Sequence, residues 1–212
     1  MKIQINGSNM SYDTSGEGIP LLFIHGFPLS RKIWDPQASA LAAYTRVIRP
    51  DLRGHGDSDA THENYSMDAL AEDCVSLLDT LGITQQVVIC GLSMGGYIAL
   101  AFYRKFADRI AGIILTATRA GADSLETKNN RDKAIALAQS SGAIAIADSM
   151  LPKMFAPITY TEQPELIETV RKIMAGTSID GITGALHGIR DRLDSTPLLT
   201  TITKPVLIGE IQ

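Results

Sequence analysis

A serine with glycines two residues to either side lies near the middle of the chain, in Gly91-Leu92-Ser93-Met94-Gly95. An apolar run, Gln86–Cys90, precedes it, and a helix-like stretch begins at Gly96. Gly91 and Gly95 allow a turn too tight for side chains, which would lift the serine hydroxyl above the strand. The first amides of a helix have no acceptor within it, so the Met94 N–H would face a developing oxyanion. The pattern favours a nucleophilic serine over an incidental glycine-rich turn.

A second motif, His25-Gly26-Phe27-Pro28, follows the apolar run Leu21–Ile24. A turn at His25-Gly26 would bring another backbone N–H, that of Phe27, toward the same anion. We expect His25 to hold this loop through its ring nitrogens rather than to act as a catalyst.

The third motif, Arg49–Ser58, is dense in charges and glycines. It predicts a tight loop after a strand, held by internal hydrogen bonds. A metal site built from Asp51, His55 and Asp57 is the alternative, but nothing in the spacing demands one. We therefore expect no metal here.

The hydrophobic pattern predicts strands that alternate with helices, with the clearest helix at Ser66–Leu81 between a serine N-cap and Gly82. This order is typical of an α/β protein with a mostly parallel, doubly wound sheet. The predicted strands are Lys2–Ile5, Met10–Thr14, Pro20–Ile24, Arg46–Arg49, Gln86–Cys90, Ile110–Leu115 and Pro205–Ile208.

The alternation stops at about residue 121, and the chain becomes a series of helices up to about residue 195. We expect residues 1–120 to form the core, 121–195 a helical cap over the carboxyl edge of the sheet, and 196–212 a return to the core with the last strand. The alternative is that these helices are extra scaffold away from any site. Five apolar residues of this segment either line a pocket or form its core: Met150, Leu151, Met154, Phe155 and Ile158.

Together, the three motifs resemble those of the α/β-hydrolase fold superfamily, in the same order along the chain. Within this superfamily, the chain resembles small bacterial esterases, lipase-like hydrolases and cofactor-free haloperoxidase-like members. The resemblance implies Ser93 as nucleophile, Phe27 and Met94 as oxyanion donors, a small-molecule ester or related acyl substrate, and no cofactor. Serine at this position, where haloalkane dehalogenases carry aspartate, argues against dehalogenation. Ester, thioester, amide, lactone and carbon–carbon bond hydrolysis stay open.

The catalytic acid of this family usually follows the strand that Pro205–Ile208 resembles, in a Gly-Glu-x-Asp type of turn. Gly209-Glu210 begin such a turn, and the sequence ends at Gln212. The segment that carries the family's histidine has no counterpart, so we expect a chain truncated before the acid and the histidine. His187 is a candidate substitute base, or else a solvated cap residue, and Glu210 and Asp123 are candidate acids.

Two functions from different classes follow. The chain is an ester hydrolase acting through Ser93, or it is a catalytically impaired relative that serves as a binding or self-associating protein. An unpartnered last strand would invite pairing with another copy, so we expect a homodimer along that edge or through the cap.

The overall composition argues against nucleic-acid-binding, membrane and secreted proteins. A net charge of −4 without long charged runs argues against nucleic-acid and anionic-membrane partners. No uninterrupted apolar run reaches the roughly 18 residues that span a bilayer, and the N-terminus does not resemble a signal peptide. Cys74 and Cys90 lie in apolar stretches and indicate reduced, buried thiols, which is typical of a cytoplasmic protein.

Overall fold

The computed structural model describes residues 1–210 of the 212-residue chain. The strands are β1 (Lys2–Ile5), β2 (Ser8–Ser15), β3 (Pro20–Ile24), β4 (Arg46–Pro50), β5 (Val87–Leu92), β6 (Ile110–Thr116) and β7 (Val206–Gly209). The helices are α1 (Asp35–Leu41), α2 (Met67–Thr80), α3 (Met94–Phe106), α4 (Leu125–Met150), α5 (Pro157–Glu162), α6 (Pro164–Ala175) and α7 (Ile179–Arg190). Short 3₁₀ turns cover Arg31–Trp34, Ala107–Arg109, Leu151–Lys153 and Thr196–Thr201.

The strands form one sheet in the order β1-β2-β4-β3-β5-β6-β7. β1 and β2 are antiparallel to their neighbours, and the pairs from β4 to β7 are parallel. The mostly parallel α/β sheet predicted from the alternation of strands and helices is therefore confirmed.

Helices cover both faces of this sheet, which explains the continuous apolar run of β3. Leu22 and Ile24 face the large core formed with α2 and α3, whereas Leu21 and Phe23 face the opposite side. There Phe23 stacks on Trp34, with ring centroids 4.5 Å apart. A strand buried on both faces shows no alternation of polar residues.

Local sequence signals set the element ends. Ser66 caps α2 by accepting a hydrogen bond from the Ala69 N–H, and Gly82 follows the helix with φ of 68°. The turn between β1 and β2 uses Asn6 and Gly7 at positive φ, as expected for a two-residue hairpin loop.

Four helices lie between β6 and β7, and they pack on loops at the carboxyl ends of the strands. The Thr177 hydroxyl donates to the Pro28 carbonyl over 2.9 Å, and the Tyr65 N–H donates to the Gly184 carbonyl over 3.0 Å. Pro28 lies in the loop after β3, and Tyr65 in the loop after β4. The helical segment therefore contacts two loops at the edge where α/β folds place their ligands.

Residues Leu125–Lys153 would be long and apolar enough to cross a bilayer by length and composition alone. The chain leaves helical geometry within this segment at Gly142, with φ of 80° and ψ of 176°. Ile135 and Ile146, one on each side of that break, are buried in the protein.

The two cysteines are free and buried, as predicted. Burial raises the pKa of both thiols, that of Cys90 to about 12.

Candidate active site

Ser93 occupies a strained turn between β5 and α3. Its φ of 51° and ψ of −107° are unusual for a residue with a side chain, and such backbone strain typically costs about 1–3 kcal/mol. Both flanking glycines are sterically required. A Cβ on Gly91 would lie 2.3 Å from the Gly95 carbonyl oxygen, and one on Gly95 would lie 2.2 Å from the Ile24 carbonyl oxygen. The sequence thus folds here into the tight strand–turn–helix that the motif predicts.

The loop after β3 lies directly beside this turn. Ile24 pairs with Gly91, so Gly26 continues the same register next to Ser93. A Cβ on Gly26 would lie 3.4 Å from the Ser93 Cβ and 3.2 Å from the Leu92 carbonyl oxygen. Only glycine allows this close approach without displacing its neighbours.

Two backbone amides of this region have no partner among residues 1–210. Within residues 1–210, neither the Phe27 N–H nor the Met94 N–H donates a hydrogen bond to any backbone or side-chain acceptor. Phe27 is 8% exposed and Met94 fully buried, so the loop and the helix hold both residues in place. Both N–H groups are therefore free to donate to a developing oxyanion.

The backbone of Ser93 is anchored to the end of β6. Its N–H donates to the Thr116 carbonyl over 2.9 Å, and its carbonyl accepts from the Thr118 hydroxyl over 2.8 Å. The Ser93 hydroxyl itself, on a half-buried side chain, makes no hydrogen bond within the described part of the chain.

The His25 ring holds two loops together through hydrogen bonds to the backbone. Its Nε2 accepts from the Leu52 N–H over 3.0 Å, so Nδ1 carries the proton and donates to the Gly26 carbonyl over 2.9 Å. Burial lowers the pKa of His25 to about 4, which keeps the ring neutral. Both ring nitrogens are thus used by the backbone.

The loop after β4 is organised around a buried carboxylate. Asp51 accepts from the backbone N–H of Arg31 over 2.7 Å and of Asp57 over 2.8 Å, and it pairs with the Arg31 guanidinium. The His55 Nδ1 bonds the Arg53 carbonyl. No group of three or more His, Cys, Asp or Glu side chains in residues 1–210 is arranged to hold a metal ion. The hydrogen bonds and the ion pair of Asp51 therefore hold this loop in shape.

The structure does not bring His187, the candidate substitute base, to Ser93. His187 lines a cavity of about 190 Å³ with Asp68 and Arg104. Arg104 lies ten residues after Met94 on α3, which is about 15 Å along the helix axis. This cavity therefore belongs to the far end of α3.

Asp123, a candidate acid, forms ion pairs with three arginines. It is buried and pairs with Arg119, with Arg131 over 3.1 Å and with Arg192 over 2.6 Å. Burial raises the pKa of this carboxyl, but the hydrogen bonds from Arg192 and Arg131 outweigh it, and the pKa lies below its usual value. Arg119 and Arg131 lie four and eight residues from Asp123, a spacing that could have indicated pairing. Nothing in the sequence marks Arg192 as a partner.

Glu210 is the one of the three candidates that lies at the sheet edge carrying the serine turn. It is exposed and lines a cavity of about 400 Å³ together with Ala117 and Thr118. The neighbouring Gly209 carbonyl accepts from the Ala117 N–H over 3.0 Å.

Apolar side chains of the helical segment pack against the residues that flank the site. Met150, Met154 and Phe155 are partly buried in one cluster that includes Leu29 and Leu92. Leu151 is also buried there. Ile158, on the short helix α5, is 57% exposed and is not part of this cluster.

Comparison with known proteins gives a consistent result. The family model described as alpha/beta hydrolase fold matches residues 19–143. A thermophilic esterase from Thermogutta terrifontis superposes with a TM-score of 0.96 at 38% identity, covering 99% of this chain and 79% of the esterase. The enol-lactonase from Burkholderia xenovorans LB400 superposes with a TM-score of 0.91 at 30% identity, covering 98% of this chain and 80% of the enol-lactonase. A 3-oxoadipate enol-lactonase from Acinetobacter baylyi is 28% identical, covering 94% of this chain and 73% of that protein. The chain belongs to the α/β-hydrolase fold family.

Proposed function

We propose that this chain is a hydrolase of carboxylic esters or related acyl compounds, and that Ser93 is its nucleophile. One observation carries the proposal: a serine held at φ of 51° adjoins two backbone N–H groups, of Phe27 and Met94, that have no acceptor in residues 1–210. Acyl transfer through a tetrahedral oxyanion requires this combination.

Names of the relatives support the substrate class. Solved structures that resemble this chain at 30–38% identity are an esterase and an enol-lactonase. A lactone is a cyclic ester, so both names describe cleavage of an acyl–oxygen bond. The apolar cluster around Leu29, Leu92 and Phe155 would favour an apolar acyl group beside Ser93.

The proposed reaction proceeds in two steps. The Ser93 hydroxyl attacks the ester carbonyl and passes its proton to a base, while the carbonyl oxygen becomes an oxyanion that accepts from the two amides. Collapse releases the alcohol with a proton and leaves an acyl-serine. Water then attacks this ester, and Ser93 and the carboxylic acid are released.

The proton acceptor for this mechanism is not one of the four histidines in the sequence. His25 is engaged at both nitrogens, and His55 is buried in contact with the His25 and Phe27 rings. His62 lies at the surface beside Asp180, and His187 lies in the distant cavity. In our proposal the base therefore comes from outside residues 1–210.

A second candidate function rests on this same placement. A catalytically impaired relative would keep the serine turn but bind, or associate with other copies, without turnover. The absence of a hydrogen bond to the Ser93 hydroxyl among the described residues favours this candidate.

Hydrolysis of p-nitrophenyl acetate and butyrate separates the two. With imidazole in the buffer as the base, we expect the wild type to hydrolyse these esters faster than Ser93→Ala, with thermal unfolding of the two proteins compared as the control for folding. Both proteins keep the oxyanion donors, which with binding alone leave a rate enhancement of roughly 10³–10⁴ over water in serine hydrolases that lack triad members, so the difference between the two rates reports on the serine. Equal rates for the two proteins would reject the enzyme and favour the binding protein.

A further inference from the structure

The three residues at the end of β6, Thr116-Ala117-Thr118, form a second strained turn beside Ser93. Ala117 has φ of 46°, which is rare for a residue other than glycine, and its N–H donates to the Gly209 carbonyl. The turn brings Thr118 back over the start of α3. A Cβ on Gly96 would lie 2.5 Å from both the Thr118 hydroxyl and its methyl group.

From this position the Thr118 hydroxyl donates to the Ser93 carbonyl oxygen over 2.8 Å. The Gly96 and Tyr97 amides also donate to this oxygen, over 3.0 Å and 3.4 Å. The side-chain bond is thus the shortest of the three.

The Ser93 carbonyl and the Met94 N–H belong to one peptide group. A trans peptide is planar, and its C=O and N–H point in opposite directions. A bond that fixes the direction of the Ser93 carbonyl therefore fixes the direction of the Met94 N–H. A donor to the carbonyl also polarises the peptide and strengthens the N–H as a donor, by perhaps 10–30% per bond.

We propose that Thr118 is a positioning residue for the oxyanion donor: it acts through the Ser93 carbonyl to aim the Met94 N–H. This inference rests on the proposed function of Ser93. It assigns a role to a residue of the β6 turn that no feature of the serine motif indicates.

Two variants separate this role from simple packing. Thr118→Val keeps the shape and removes the hydroxyl, whereas Thr118→Ser keeps the hydroxyl and removes the methyl group. We expect kcat for p-nitrophenyl butyrate to fall about tenfold or more in Thr118→Val. Complete loss of an oxyanion donor typically lowers kcat by a factor of about 10²–10³. KM should stay within about twofold, since the substrate's ground state carries no oxyanion. Thr118→Ser should retain kcat within about threefold of the wild type.

Affinity for a trifluoromethyl ketone, which forms a tetrahedral oxyanion on a serine, provides the second readout. It should fall in Thr118→Val by about the same factor as kcat and recover in Thr118→Ser. A Thr118→Val protein with wild-type kcat and inhibitor affinity would overturn the inference. So would a Thr118→Ser protein as impaired as Thr118→Val, since packing would then be the cause.

A measurement without substrate distinguishes failure of this inference from failure of the proposed function. With ¹⁵N-methionine labelling, the seven methionines give few amide signals, and that of Met94 is identified by Met94→Leu. We expect the Met94 amide proton to move in Thr118→Val and to stay near its wild-type position in Thr118→Ser. An unmoved signal in Thr118→Val overturns the inference even if Ser93 is an active nucleophile. Equal ester hydrolysis by wild type and Ser93→Ala overturns the proposed function, and the amide signal still tests the hydrogen bond.

Discussion

Gly26 and Ser93 lie side by side at the ends of β3 and β5, so close that a Cβ on residue 26 would be 3.4 Å from the Ser93 Cβ. This contact joins the two motifs, which are 67 positions apart in the sequence. It places the Phe27 amide, the next along the chain, next to the serine turn.

Gly26→Ala tests this contact. The added methyl must displace the Leu92 carbonyl or the Ser93 side chain by a few tenths of an ångström, and the oxyanion geometry with them. We expect about a tenfold loss of kcat in ester hydrolysis, with a loss of stability in the range of about 1–3 kcal/mol. Gly121→Ala is the matched control, because its Cβ would meet nothing nearer than 3.9 Å. Equal activity of both variants would mean that Gly26 does not shape the site.

Asp123→Asn tests whether this carboxylate is structural. Its side chain is fully buried among three arginines, so its neutralisation leaves Arg192 buried without its charge partner. Breaking a buried pair typically costs about 3–5 kcal/mol, to be read from urea unfolding. Asp148→Asn, at an exposed pair with Arg171, should leave the midpoint unchanged. If Asp123→Asn unfolds at the wild-type midpoint yet loses esterase activity, Asp123 is the catalytic acid instead.

Stability should depend on pH through the two buried histidines. Burial lowers the pKa of His25 to about 4 and that of His55 to about 3, whereas both titrate near 6.5 in the unfolded chain. The unfolded state therefore binds more protons below pH 6.5. The native state loses stability as the pH falls from about 6.5 to about 4 through His25, and on to about 3 through His55. Between pH 6.5 and 4 each histidine contributes about 3 kcal/mol.

His55→Asn keeps a donor for the Arg53 carbonyl and removes one of these titrations. The slope of unfolding free energy against pH between 6 and 4.5 should fall by about half. His62→Asn, at an exposed position, is the control for loss of a histidine. An unchanged slope in His55→Asn would show that this ring is not held neutral in the native state.

The homodimer expected from the sequence would form along β7 or through the helical cap. In the described chain β7 lies at one edge of the sheet, and Val206, Leu207 and Ile208 are 43%, 62% and 70% exposed. Such an edge favours pairing with another strand. We expect light scattering to give a dimer at micromolar concentration for the wild type and a monomer for Leu207→Lys. A monomeric wild type would contradict the prediction of a homodimer.

Much of the fold could be predicted because its elements carry local signals. Buried parallel strands such as β3 are continuous apolar runs, and Ser66 and Gly82 mark the ends of α2. The short helices α1 and α5 lacked such signals, since six or seven residues give too few turns for a periodic pattern.

The serine turn could also be predicted, because its glycines are required sterically and therefore appear in the sequence. The contacts of Thr118 and Arg192 could not, since each depends on pairing between segments distant in sequence. Thr118 reaches Ser93 only because β6 lies beside β5 and Ala117 turns the chain back. Arg192 reaches Asp123 only because the two ends of the helical segment, 69 positions apart in the sequence, lie together in the fold.

Reaction with a fluorophosphonate, followed by intact mass and peptide mapping, tests the role of Ser93 most directly. A serine hydroxyl must be activated to displace the fluoride, and neutral imidazole in the buffer supplies a base that residues 1–210 do not place beside Ser93. We predict one label per chain, on the peptide that contains Ser93, and none on Ser93→Ala. Equal labelling of the two proteins, or a label on another residue, would contradict the assignment of Ser93 as the nucleophile.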